Sequence, residues 1–144
     1  MTLRGRATRT VVGMGPPAQD RVGVLAVDDQ SIFLDVARDV VAATPGFSWV
    51  GGATCAEEAL DAVRELGPEL VLMDVRMPGM DGIEAAQRIC EKHPDTVVVL
   101  ISIDESPAIT PAIEASGAAA LVRKQEFSPA MLRRLWLTYG KSDN

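Results

Sequence analysis

The sequence predicts an α/β fold, a doubly wound parallel sheet made of five consecutive strand–helix units. Three observations carry this reading. Short apolar runs without polar alternation recur along the chain, as strands buried on both faces require. Between them lie stretches whose apolar residues return every three or four positions, the spacing of one helix face. Pro and Gly clusters separate the two kinds of segment, and strands alternating with helices of this length build a parallel sheet covered on both sides.

Each element follows in order. Val22 to Val27 is the first strand. Ile32, Phe33, Val36, Ala37, Val40 and Val41 form the inner stripe of the first helix, which Thr44-Pro45-Gly46 stops. Ser48 to Gly51 is a brief second strand. Ala59, Leu60, Val63 and Leu66 mark the second helix, closed by Gly67-Pro68. Leu70 to Met73 is the third strand, and Ile83, Ala86, Ile89 and Cys90 line a third helix that ends before Pro94. Val97 to Ile101 is the fourth strand. The fourth helix carries Pro107 and Pro111 and ends at Gly117; proline in a helix interior costs about 3 kcal/mol, so this helix is short or starts late. Ala119 to Val122 is the fifth strand. Ser128-Pro129 opens the last helix as N-cap and first-turn proline, with Met131, Leu132, Leu135, Trp136 and Tyr139 on its inner face.

The chain has 144 residues, a length that suits one domain with short flanks. Residues 1–20, rich in Thr, Arg, Gly and Pro, read as a flexible basic tail. Residues 21–140 hold the domain, and 141–144 a C-terminal tail. Three of the 14 basic residues and one of the 20 acidic ones precede Arg21, so residues 21–144 carry 11 bases against 19 acids. That acidity argues against nucleic-acid binding by this chain. No apolar run is long enough to span a bilayer, and no secretory signal is visible. Cys55 and Cys90 form neither a disulfide framework nor a metal-ligand spacing. A reducing cytoplasm is the expected location.

Ligand sites of open parallel sheets form beyond the carboxyl ends of the strands. Asp28 and Asp29 follow the first strand here, Asp74 the third, Ser102 the fourth, and Lys124 lies just past the fifth. Taken singly, Asp28-Asp29 reads equally as a helix cap with a first-turn acid. Asp74 alone is an ordinary loop acid, Ser102 a satisfied hydroxyl and Lys124 a solvated amine. Together they occupy one edge. If the strand order is 2-1-3-4-5, the three carboxylates converge and repel one another unless a cation joins them. Oxygen-only ligands suit Mg²⁺. A carboxylate can also act as a nucleophile and form an acyl phosphate, with Lys124 opposite the developing charge and Ser102 donating to a phosphoryl oxygen.

Val24-Leu25-Ala26-Val27-Asp28-Asp29, Leu72-Met73-Asp74-Val75-Arg76-Met77-Pro78-Gly79-Met80-Asp81-Gly82, Leu100-Ile101-Ser102 and the stretch from Gly117 to Lys124 resemble the receiver family of two-component signalling. The resemblance covers about residues 21–139. It implies a flavodoxin-like (βα)₅ sheet in the order 2-1-3-4-5. By the same resemblance, Asp74 is the phosphoacceptor, and Asp28, Asp29, Asp74 and the backbone carbonyl of Arg76 hold Mg²⁺. Ser102 is the switch hydroxyl and Lys124 the phosphate-binding lysine. The implied partners are a sensor histidine kinase or phosphotransfer protein, and a downstream target or second copy on the face of the fourth helix, fifth strand and fifth helix. The stretch from Gly46 to Ala59 most resembles receivers that are usually fused to a helix-turn-helix output domain.

The chain departs from the family at Leu121, usually aromatic, at Gln125, often proline, and at Ile103, usually small. Together with Pro107 and Pro111 these departures gather on the output face. Two other readings compete. A pseudo-receiver would bind partners without phosphorylation, but it has no need to keep Asp28, Asp29, Asp74, Ser102 and Lys124 together. A hydrolase with an aspartyl-phosphate intermediate generally has a second acid two residues past a nucleophile on the first strand, where this chain has Gln30.

Overall fold

The computed structural model describes residues 21–104 and 108–141. The expected N-terminal tail, Pro107 and the last three residues lie outside the described residues. The elements are β1 (Val22–Val27), α1 (Ser31–Ala42), β2 (Phe47–Ala53), α2 (Ala56–Leu66), β3 (Leu70–Asp74) and α3 (Gly82–Lys92). They continue with β4 (Val97–Ser102), α4 (Pro111–Ala115), β5 (Ala120–Arg123), a single 3₁₀ turn (Lys124–Glu126) and α5 (Pro129–Tyr139). All strands are parallel, in the order β2-β1-β3-β4-β5.

Side chains alternate across a strand, so each central strand feeds two layers. Leu25, Val27, Val71, Met73, Val98 and Leu100 face α2, α3 and α4, against Ala59, Val63, Ala86, Ile89 and Ile113. Val24, Ala26, Leu70, Leu72, Val99 and Ile101 face α1 and α5, against Phe33, Ala37, Val41, Leu132 and Leu135. Leu72 and Leu100 are fully buried, and each such side chain contributes about 2 kcal/mol by leaving water.

Several details differ from the sequence reading. β2 runs from Phe47 to Ala53, longer than expected, because the ladder survives an irregularity. Trp49 pairs with Val24 and Gly51 with Leu25, and Val50 is stepped over. In α1 the buried positions are Phe33, Ala37 and Val41, four apart. Ile32 and Val36, expected in the same stripe, stand 75% and 43% exposed. Leu66 and Tyr139 are likewise exposed. A helix lying on a sheet buries a narrow stripe, so apolar residues one position off it remain in water.

α4 is short and late, as its prolines require. Thr110 Oγ1 accepts a hydrogen bond from the Ile113 amide at 3.2 Å, and Pro111 takes the first helical position. Ser128 caps α5 in the same way, accepting from the Met131 amide at 3.1 Å. The expected inner-face residues Met131 and Trp136 pack against the α1 and α5 layer.

Candidate functional site

Strand register places the polar residues. Val27 pairs with Met73, so Asp28 and Asp74 leave the sheet side by side. Asp74 pairs with Ile101 and Ser102 with Arg123, so Ser102 and Lys124 stand at the next two strand ends. The switch between β1 and β3, where connections run to opposite faces, opens the crevice. A cleft of about 240 Å³ lies there, lined by Asp29, Gln30, Asp74, Val75, Arg76, Ser102, Ile103 and Lys124.

Carboxylate oxygens of Asp28, Asp29 and Asp74 lie within 4.8 Å of one another. Asp28 is buried, Asp74 nearly so, and Asp29 is exposed. Asp28 does more than either sequence reading assigned it. Its Oδ1 accepts from the Gln30 amide at 2.8 Å, shaping the turn into α1. The helix itself begins at Ser31, and its N-cap residue Gln30 makes no side-chain cap. Neither aspartate is therefore used up in capping α1.

Lys124 reaches across this edge. Its Nζ lies 2.5 Å from Asp28 Oδ2 and 3.8 Å from Asp74 Oδ2. The contact with Asp28 is an ion pair without hydrogen-bond alignment, so the buried Oδ2 accepts no hydrogen bond. Ser102 is buried at the end of β4, and its Oγ accepts from the Asp104 amide at 3.0 Å. That bond leaves the hydroxyl proton free for another acceptor.

Three carboxylates face one ammonium, so negative charge is uncompensated. Burial, and then the charge of Asp28, push the Asp74 carboxyl up to about 6, against the opposing pull of Lys124 and of the Arg76 backbone amide. A divalent cation fits this donor set. The atoms are all oxygen, one is buried without a hydrogen bond, and the excess charge has the sign that a cation removes. Arg76 borders the cleft, and its side chain points outward, 77% exposed, to Asp104.

The five residues singled out from the sequence come together. The sequence reading missed Gln30 as a wall of the cleft. It also missed Phe33, counted as core, whose ring lies 5.2 Å from Lys124 Nζ. It did not register Gly82 either, where any β-carbon would overlap the Asp74 carbonyl oxygen. Gly82 lies in the D-G that opens α3, and its amide donates to the Val75 carbonyl at 2.9 Å. Asp81 Oδ1 caps the helix by accepting from the Glu84 amide.

Comparison with known proteins agrees with the geometry. The model of the response regulator receiver domain matches residues 24–135, and the chain belongs to that family. It is 34% identical over 119 residues to response regulator GacA of Pseudomonas viridiflava, covering 83% of this chain and 56% of that protein. It is 39% identical over 107 residues to a protein-glutamate methylesterase/protein-glutamine glutaminase of Geobacter metallireducens, covering 72% of this chain and 31% of that protein. The response regulator domain of Thermotoga maritima CheB superposes with a TM-score of 0.72 at 30% identity, over 81% of this chain and 95% of that one. The receiver domain of NarL from Mycobacterium tuberculosis gives 0.73 at 28%, over 83% and 95%. The protein is thus a response regulator receiver domain of two-component signalling. The chain spans about half the length of the GacA relatives it matches. Among the described residues no helix is long and apolar enough to cross a membrane.

Proposed function

We propose that the chain is a phosphoacceptor switch, and that Asp74 takes a phosphoryl group from a sensor histidine kinase or phosphotransfer protein in the cytoplasm. The observation that supports this most is the convergence of Asp28, Asp29 and Asp74 beside Lys124 and Ser102 on one sheet edge. In the transfer an Asp74 carboxylate oxygen attacks phosphorus. The bond from phosphorus to the donor's nitrogen breaks, and its electron pair leaves with the donor. Lys124 faces the charge that gathers on the phosphoryl oxygens, and Ser102 donates its free hydroxyl proton to one of them. Asp28, Asp29, Asp74 and the Arg76 backbone carbonyl would hold Mg²⁺, which when bound neutralises both the carboxylates and the incoming phosphoryl group.

The output of this switch is a shift of the loop after β4 and of the face made by α4, β5 and α5, read by a downstream protein or a second copy. The chain catalyses only its own phosphorylation and dephosphorylation, and it binds no nucleic acid directly. The test is incubation with Mg²⁺ and acetyl phosphate, read by intact mass. Wild type gains one phosphoryl group and Asp74→Asn gains none. No gain in wild type, or an equal gain in the variant, would refute the reading.

A further inference from the structure

Lys124 is held from below as well as from the front. Its Nζ sits 5.2 Å from the centroid of the Phe33 ring, within the range of a cation–π contact. Phe33 comes from the first turn of α1, where it begins the buried stripe, and is 7% exposed. Behind it lies Phe127, also 7% exposed, with ring centroids 6.0 Å apart and planes tilted by 52°. The 3₁₀ turn Lys124–Glu126 makes this possible. It brings Phe127 back, with its amide donating to the Lys124 carbonyl at 3.2 Å. The aromatic pair thus ties the N-terminal part of α1 to the 3₁₀ turn that follows β5.

We propose that Phe33 is a positioning residue whose ring face holds the Lys124 ammonium in the crevice between Asp28 and Asp74. A lysine stem has four rotatable bonds and pays for being fixed with side-chain entropy. The ion pair with Asp28 holds the ammonium from one side only. The electron-rich ring face supplies a second, directional contact in a site where Lys124 is only 17% exposed, and such contacts strengthen on desolvation. Phe127 sets the tilt of Phe33 and has no direct part. The role in phosphorylation rests on the reading of Asp74 as acceptor, whereas the contact itself does not.

The test uses Phe33→Leu, which stays apolar, and Phe33→Tyr, which keeps the ring. In wild type the Lys124 side-chain methylene resonances are shifted upfield by the ring current. Phe33→Leu abolishes this shift and Phe33→Tyr retains it. Phosphorylation of Phe33→Leu by acetyl phosphate slows about tenfold, near the upper range of a cation–π contact, while Phe33→Tyr keeps most of the wild-type rate. In a Lys124→Ala background Phe33→Leu has no further effect, because it acts through the lysine. A loss of equal size in that background, or Lys124 resonances at unshifted positions in wild type, overturns the proposal. If wild type accepts no phosphoryl group, the acceptor reading falls, and the wild-type resonance positions still decide the contact.

Discussion

The Arg76 guanidinium lies 3.4 Å from the Asp104 carboxylate, joining the loop after β3 to the loop after β4 beside the crevice. Hydrolysis of an acyl phosphate on Asp74 needs water in line with the bond to phosphorus. Arg76 and Ile103 both line the cleft that such water must enter. The pair is exposed and adds little stability, about 0–1 kcal/mol, so its effect is positional. Arg76→Ala combined with Asp104→Ala is expected to speed phosphate loss about tenfold, equivalent to 1.4 kcal/mol of barrier. Decay of phosphorylated protein after donor removal, with Mg²⁺ present, measures it. Equal rates for both proteins mean that no gate exists.

A second prediction concerns the metal. Asp29 is the exposed member of the carboxylate cluster and makes no hydrogen bond to the fold among the described residues, so it is free to bind a cation. Asp29→Ala is expected to abolish Mg²⁺ binding. It also removes one repelling charge and leaves metal-free stability equal or higher. Trp49 and Trp136 pack in the α1 and α5 layer and do not line the cleft. Amide shifts in an NMR titration are therefore the suitable readout, and a titration that Asp29→Ala leaves unchanged excludes the site.

The raised carboxyl of Asp74 has a stability consequence whose sign is fixed. The folded state holds this proton to about pH 6, against 3.8 for the free group. Below the lower value both states are protonated and the contribution is full. Between the two the folded state binds more protons, so stability falls as pH rises, and above about 6 the loss is complete. Asp74→Asn removes this dependence. Its stability gain over wild type is expected to grow from pH 4 to pH 6 and then level at about 1–3 kcal/mol without metal. Urea midpoints at several pH values give this difference, and saturating Mg²⁺ narrows it at pH 7. A gain independent of pH contradicts the assignment.

Most of the fold was legible because parallel strands and amphipathic helices obey different periods. The apolar run Val97 to Ile101 and the stripe through Ala86 and Ile89 needed no tertiary knowledge. β2 was harder. Gly51 and Gly52 read as a strand end, and only pairing with β1 carries the strand on to Ala53. Ile32 and Val36 misled for the opposite reason, since periodicity marks an apolar sector wider than the stripe a sheet can cover. The site residues were legible through their place after each strand. Phe33 was not, because an aromatic on a helix's inner face carries no sequence mark that separates packing against a lysine from packing against the core.

Gly82 bears on the backbone of Asp74, the proposed acceptor. A β-carbon there overlaps the Asp74 carbonyl oxygen and crowds the Met73 side chain. Neither α3 nor β3 can retreat easily, since Ala85, Ala86 and Met73 are fully buried. Gly82→Ala is expected to cost about 2–4 kcal/mol of stability, the range of severe overpacking, and to displace Asp74. Thermal melts check the first effect and phosphorylation per folded molecule the second. A variant with wild-type stability and wild-type phosphorylation shows that the loop after β3 yields freely.

The last prediction concerns how phosphorylation is read out. Ser102 Oγ now accepts from the Asp104 amide, so the hydroxyl is engaged with the loop it begins. Donation to a phosphoryl oxygen draws Ser102 inward, and that bond either stretches or carries the loop along. The loop has a second tie, from Gln125 Nε2 to the Ile103 carbonyl at 3.4 Å, a weak bond at the limit of hydrogen-bond length. Beyond it, α4 has only five residues and rests on Ile113. Leu121 packs against the α2–α4 layer with no hydroxyl for a moving Ser102 to engage. Side-chain packing alone must pass the movement to β5. A small gap between resting and activated states follows, with a partly active resting population. Beryllofluoride with Mg²⁺ is expected to shift amides across the described part of residues 103–123 as well as in the crevice. Gln125→Ala, which removes the weaker tie, enlarges the response around Ile103. Shifts confined to residues that line the crevice, with none from Ile109 to Arg123, mean that the movement stops at Ser102.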